Sequence, residues 1–216
     1  MIKDIDRNRL LIDKYIVDYI YNAAQIEGLN TRYLDTKFFV EDDIIPKNID
    51  PDKVLILKNL KDAYKELKNE EFASSFIDIN SLKRVNLIIN GRGLVKEAGR
   101  IRIDEIYVDN SNYIPPIPDP FKLNEDILDI IQSNNEYLDK AIKLYLYIMR
   151  TQPFIDGNKR TANVFANLYL LQNEPMLISI HANKKYTFFN KLKKFYETNE
   201  YDDLIKFIKE NGIYKI

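Results

Sequence analysis

The sequence contains no cysteine, and only one histidine, His181, in 216 residues. The first absence excludes disulfides, thiol nucleophiles and thiolate metal sites. The second excludes any site built from several histidines. No charge of one sign dominates either: 32 Lys+Arg stand against 33 Asp+Glu, for a net charge of -1. The overall balance supplies no strongly basic groove for duplex nucleic acid and leaves room only for a local basic site. Long apolar runs are also missing. Uncharged apolar stretches extend for a few residues, far below the ~18 that span a bilayer, and the opening MIKDIDRNRL has no secretory apolar region. These absences predict a cytoplasmic protein with neither a membrane nor nucleic acid among its partners.

What is present is a folding composition: 45% hydrophobic and 30% charged residues, with 6 Gly and 8 Pro. The length suits one domain with an added arm, which has enough chain to bury a core. Ile12, Ile16, Tyr19, Ala23 and Ile26 step by four and three, one face of an amphipathic helix that stops at Gly28 and carries Glu27 at its end. From Thr31 to Asp50 the pattern is mixed. Asp50-Pro51 then reads as N-cap and N1 of a helix with Val54, Leu57, Leu60, Tyr64 and Leu67 inside. A further helix is predicted from about Asn80 to Asn90.

The segment Gly99 to Tyr113 changes character. Ile101, Ile103, Ile106 and Val108 are β-prone and Asp109-Asn110-Ser111-Asn112 offers turn chemistry, which predicts a short hairpin or extended flap. Pro115, Pro116, Pro118 and Pro120 make a stiff, non-helical connector. Helical spacing resumes at Leu123, Ile127 and Ile130, at Leu138, Ile142, Tyr145 and Met149, and at Ala162, Phe165 and Tyr169. Two more short helices are predicted between Tyr186 and Lys209. The predicted fold is all-α with one short β-hairpin flap.

Between two of these helices lies Gln152-Pro153-Phe154-Ile155-Asp156-Gly157-Asn158-Lys159-Arg160-Thr161-Ala162. Gly157 lets the backbone turn without a Cβ, and the N-H groups of the next helical turn point out of its positive end. Asn158, Lys159 and Arg160 add donors there and Asp156 adds a carboxylate, which is equipment for a Mg²⁺-bound polyphosphate. The same residues also suit a plain helix N-terminus with a capping side chain and solvated basic groups. A P-loop is excluded, because the stretch lacks the first glycine and the spacing of G-x-x-x-x-G-K-[ST].

The spacing resembles the Fic/Doc (Fido) family, whose signature is His-x-Phe-x-Asp/Glu-Gly-Asn-Gly/Lys-Arg. Phe154, Asp156, Gly157, Asn158, Lys159 and Arg160 match it. Upstream, Glu97-Ala98-Gly99-Arg100-Ile101-Arg102 and the stretch from Tyr113 to Pro118 resemble the family's target-docking flap and its Pro-rich exit. The resemblance implies a Fic-fold helical bundle, an N-terminal helical arm over residues 1–49 and a Fic domain over 50–216. It implies Asp156 for Mg²⁺, Gly157, Asn158, Lys159 and Arg160 for the phosphates of ATP or another nucleotide, and Ile101, Arg102 and Ile103 in the docking flap. The implied partner is a target protein carrying a Ser, Thr or Tyr hydroxyl, and the implied product an AMP-modified protein.

Three departures stand beside the match. The position of the family's proton-accepting His is Gln152, a neutral amide that cannot take a proton near pH 7. A positioned base is worth about 10²- to 10⁴-fold, so the ordinary reaction is expected to be slow or absent. The lone His181 is read as structural or solvent-facing. Lys159 stands where AMP-transferring members usually carry Gly, and resembles the Doc branch of phosphate-transferring toxins. Last, Ala23-Ala24-Gln25-Ile26-Glu27-Gly28 is similar to the family's inhibitory helix, but the second Arg that its Glu normally meets is Asn163 here. Glu27 then either reaches Arg160 or Lys159 or is a helix-end charge. These features leave three readings open: transfer of AMP or phosphate to a protein hydroxyl, a catalytically inactive Fic module that binds a nucleotide or a protein, and a helical scaffold without a ligand.

Overall fold

The computed structural model describes residues 5–47, 49–108 and 111–216. It is all-α, with ten α-helices among the described residues. Helix α1 (Ile5–Ile26) places Leu11, Ile12, Tyr19 and Ile20 in the core and ends at Gly28, whose φ of +74° only glycine adopts readily. Helix α2 (Tyr33–Asp42) lies in the segment of mixed pattern. Its apolar side chains point both ways, Phe39 and Val40 inward and Leu34 and Phe38 outward, so it shows no helical stripe. A buried lysine secures it: Lys61 Nζ donates to Phe39 O at 3.2 Å and meets Asp43 Oδ1 at 2.7 Å, which lowers the Asp43 pKa.

Helix α3 (Pro51–Glu66) begins as expected, with Asp50 accepting from the Asp52 N-H and Pro51 in the first turn. The short α4 (Glu70–Ala73) follows, and then α5 (Ile79–Asn90), opened by a capping box between Asp78 and Ser81. Residues 101–108 form neither helix nor strand and bend at Asp104, so the flap is not a hairpin among the described residues. Asp109 and Asn110, half of the expected turn, lie outside the described residues. The proline connector has no regular secondary structure through Pro118, whereas Pro120 opens α6 (Pro120–Gln132) behind the Asp119 N-cap. A missing N-H costs nothing at a helix's first position, which is why the last of the four prolines starts a helix instead of preventing one.

Helices α7 (Tyr137–Thr151) and α8 (Asn158–Asn173) form the centre of the molecule. From Ala162 to Leu171 every α8 residue except Asn163 is buried, because α7, α3, α5 and a small sheet surround it. That sheet pairs β1 (Met176–Ile178) with β2 (Ile213–Lys215), antiparallel, with Leu177 opposite Tyr214. Helices α9 (Lys185–Thr198) and α10 (Asp202–Asn211) close the outer side of α7. The sheet is stitched to α1: Asn22 Nδ2 donates to Ser179 Oγ and to Tyr214 Oη, and Tyr15 Oη donates to Lys215 O. One continuous core joins α1 to the helices that follow. Among the described residues no helix is long and apolar enough to cross a membrane.

Candidate active site

The stretch from Gln152 to Gly157 is the turn between α7 and α8, and its shape is imposed by side chains from outside it. Phe154 is fully buried and anchors the turn. Asn158 grips it twice, accepting from the Phe154 N-H at 2.9 Å and donating to Phe154 O at 2.7 Å. The Asn158 side chain is therefore spent on the loop, and what it leaves toward a ligand is its backbone N-H. Two amides of α5 hold the next residue: Asn86 and Asn90 both donate to Asp156 O, at 3.2 and 2.7 Å. Gly157 has a φ of +72°, and a Cβ there would sit 2.6 Å from the Asn90 side-chain amide. Only glycine fits.

Arg160 is the charged centre. It is 4% exposed and faces two carboxylates: Nη2 donates to Asp156 Oδ2 at 3.2 Å, and Nε lies 3.2 Å from Glu27 Oε2. The Glu27 contact is an ion pair without hydrogen-bond alignment, since Arg160 Nε and Nη1 and Glu27 Oε1 have no hydrogen-bond partner among the described residues. Glu27 thus reaches Arg160 directly. Lys159, Tyr19, Asn22, Glu27, Arg160 and Asn163 line a cavity of about 30 Å³ at this point. Such a volume holds one or two waters and no nucleotide.

Asn163, one turn farther along α8, accepts from the Tyr19 hydroxyl and donates to Ile178 O at 3.0 Å. Burial pushes the Tyr19 pKa well up, so the hydroxyl stays protonated and able to donate. Gln152 ends α7 in the left-handed region, at φ 48° and ψ 60°, and its side-chain amide donates back to Met149 O. The Tyr196 hydroxyl neighbours that amide, and burial raises its pKa far above the ordinary tyrosine value. Neither group is a base near neutral pH. His181 stands apart, its Nδ1 3.0 Å from Tyr214 Oη.

Within the flap, Ile103 is exposed and Ile101 packs on the core, while the Arg102 side chain points inward. The Arg102 N-H donates to Pro153 O at 3.0 Å, which sets the flap against the turn. Asp156 is 56% exposed on its side chain, so its carboxylate is accessible to a cation. No cluster of three or more acidic, His or Cys side chains forms a cage among the described residues. A single accessible carboxylate beside a helix N-terminus is a place where Mg²⁺ could sit if phosphates completed its shell.

Sequence reasoning did not single out Asn86, Asn90 or Tyr19. The first two carry a legible signal, amides four residues apart on a face otherwise made of Leu82, Val85 and Ile89. The partnership of Tyr19 with Asn163 carries none.

Residues 76–170, which include the flap, the turn and most of α8, match the family profile described as Fic/DOC family. This stretch belongs to the Fic/DOC family. Among curated Fic relatives, a protein adenylyltransferase fic-1 of Caenorhabditis elegans is 24% identical over 194 residues, covering 82% of this chain and 36% of that protein. A protein adenylyltransferase Fic of Drosophila mojavensis is 25% identical over 183 residues, covering 81% and 36%. The chain spans about a third of the length of these relatives. Solved structures share its fold. Fic-1 of C. elegans (residues 134–508 of that protein) superposes with a TM-score of 0.76 at 16% identity, covering 97% of this chain and 68% of the other. A Fic domain containing signaling protein from Bacteroides thetaiotaomicron gives 0.76 at 17%, covering 97% and 85%.

Proposed function

We propose that this protein binds ATP with Mg²⁺ at the start of α8 and transfers AMP to a Ser, Thr or Tyr hydroxyl of a target protein. The observation that carries this reading is Arg160: a buried guanidinium at a helix N-terminus, with two carboxylates against it and two donor atoms that have no hydrogen-bond partner among the described residues. A buried cation so placed suits an incoming phosphate. Gly157, Asn158 and Lys159 contribute backbone N-H groups and a second positive charge. Asp156 would hold Mg²⁺, which supplies charge neutralisation for the phosphates.

In the reaction the target oxygen bonds to the α-phosphorus, the bond from that phosphorus to the bridging oxygen breaks, and pyrophosphate leaves. Gln152 orients the hydroxyl and the proton passes to solvent, because the amide at the position of the family's His cannot accept it. Transfer without a base is slow but retains the contribution of positioning and electrostatics. The flap from Ile101 to Val108 docks the target beside the turn, with Ile103 outward. Residues 1–49 act as a regulatory arm on the domain that follows, with Glu27 holding the place of a phosphate on Arg160.

A second reading is favoured by one observation. The Gln152 amide is tied to Met149 O and buried, which suits a module that binds a nucleotide or a protein without transfer. Incubation with ATP labelled on the α or the γ phosphate, in lysate, separates the readings. Label from the α phosphate on a protein supports AMP transfer and label from γ shows phosphorylation. Neither label, with Mg-ATP binding intact, supports the inactive module.

A further inference from the structure

Between flap and turn lies a buried cation that the nucleotide site does not use. Arg102 is 2% exposed, and its guanidinium meets main-chain carbonyls from three segments. Nε donates to Gln152 O at 2.7 Å, Nη1 to Asp104 O at 2.7 Å, and Nη2 to Pro116 O at 2.7 Å, with longer bonds to Pro115 O at 3.2 Å and Thr151 O at 3.4 Å. The Arg102 N-H adds the bond to Pro153 O. The end of α7, the flap and the proline connector thus converge on one planar fork, which a lysine cannot replace donor for donor.

One residue that this fork grips is itself strained. Gln152 carries a side chain at a φ of 48°, a conformation that costs most residues free energy and persists where the surroundings over-determine it. Its own N-H is fixed to Ile148 O at 3.0 Å, its carbonyl to Arg102 Nε, and the next carbonyl to the Arg102 N-H. The two peptide planes flanking Gln152 are therefore set by its N-H bond to Ile148 O and by the Arg102 bonds to Gln152 O and Thr151 O, so that two of these three bonds come from Arg102.

We infer that Arg102 is the positioning residue of the reaction turn, holding Gln152 in its left-handed conformation. The word reaction rests on the function proposed above; the restraint itself does not. A thermodynamic cycle tests it with the melting temperatures of the parent, Arg102→Lys, Gln152→Gly and the double variant. Glycine takes the left-handed conformation without strain. The loss caused by Arg102→Lys should then be at least halved in the Gln152→Gly background, whereas unconnected roles give equal losses. Equal losses overturn the inference. So does a failure of Arg102→Lys to fold in both backgrounds, which would make Arg102 a support of the whole core. Folding of the double variant where Arg102→Lys alone fails supports it. Mg-ATP keeps the two ideas apart: a parent whose melting temperature does not rise with Mg-ATP refutes the nucleotide reading, while the cycle still decides the role of Arg102.

Discussion

The Tyr19 hydroxyl donates to Asn163 Oδ1, so the helix that carries Glu27 is fastened to α8 by a neutral hydrogen bond. Asn163 occupies the place where the inhibitory-helix pattern expects a second arginine. Around Glu27 the chain therefore meets α8 through two unlike contacts one turn apart: a part-buried hydrogen bond at Asn163 and an ion pair at Arg160.

Removing the ion pair should open the nucleotide site. Glu27→Gln deletes the charge that competes with phosphate for Arg160, and Mg-ATP should bind about tenfold more tightly, the equivalent of about 1.4 kcal/mol. Isothermal titration of parent and variant checks this. An unchanged dissociation constant would show that Glu27 does not compete.

Removing the hydrogen bond should loosen α1 without touching the charges. Tyr19→Phe leaves the ring stacked on Tyr64 and deletes one donor, a loss of about 1 kcal/mol. The melting temperature should fall by roughly 2–4 °C for a chain of this size, and amide exchange should quicken at the end of α1. A variant that melts with the parent would count against the fastening.

The phosphate site should fail with its charges. Asp156→Ala and Arg160→Ala should each abolish most of the stabilisation that Mg-ATP gives the parent in a thermal shift. Gln152→His should raise any transfer, by up to about 10²- to 10⁴-fold, because it supplies a titratable base. If the histidine variant is inert while the parent modifies a native target, the amide belongs to the chemistry.

Gly157→Ala should destabilise on two counts, a left-handed φ costing about 1–2 kcal/mol and a methyl group 2.6 Å from the Asn90 amide. Asn90→Ala relieves only the second. It should therefore be less harmful in the Gly157→Ala background than in the parent, as denaturant titration of the four proteins would reveal.

Alkaline pH should unfold the protein through its tyrosines. Burial raises the pKa values of Tyr19, Tyr64, Tyr145 and Tyr196 far above the ordinary value and pushes that of Tyr169 up to about 12. Above about pH 10 the unfolded chain releases these protons while the folded chain keeps them, so stability falls as pH rises. Melting temperatures should be level near neutrality and drop between about pH 10 and 12. The share of the tyrosinate absorbance that comes from these five side chains should appear together with unfolding and not before it.

The helices legible in the sequence are those with a physical punctuation mark. Asp50-Pro51 announces α3 and Gly28 ends α1, because a capping carboxylate, a missing N-H and a left-handed φ each narrow the choice to a few residue types. Helix α2 has no such mark and no apolar stripe. The strands β1 and β2 are three residues each, too short for alternation to register. At the site, Gly157 is legible as a turn glycine and the residues after it as the start of a helix. The inward course of Arg102 was not, since nothing local distinguishes an arginine that will meet carbonyls of three segments from one that will meet solvent. Tyr19 and Asn163 are 144 positions apart, and only the packing of α1 on α8 makes them neighbours.

The C-terminal strand has a practical consequence. Tyr214 and Lys215 are bonded to Asn22 and Tyr15, on the same helix that leads to Glu27. A tag or fusion partner joined after Ile216 would pull on that helix directly, and a handle used to tether or purify the protein would become a lever on nucleotide affinity. Affinities measured with the handle at one end of the chain and then at the other should differ, and the difference would report how stiffly the last strand transmits load to the carboxylate guarding Arg160.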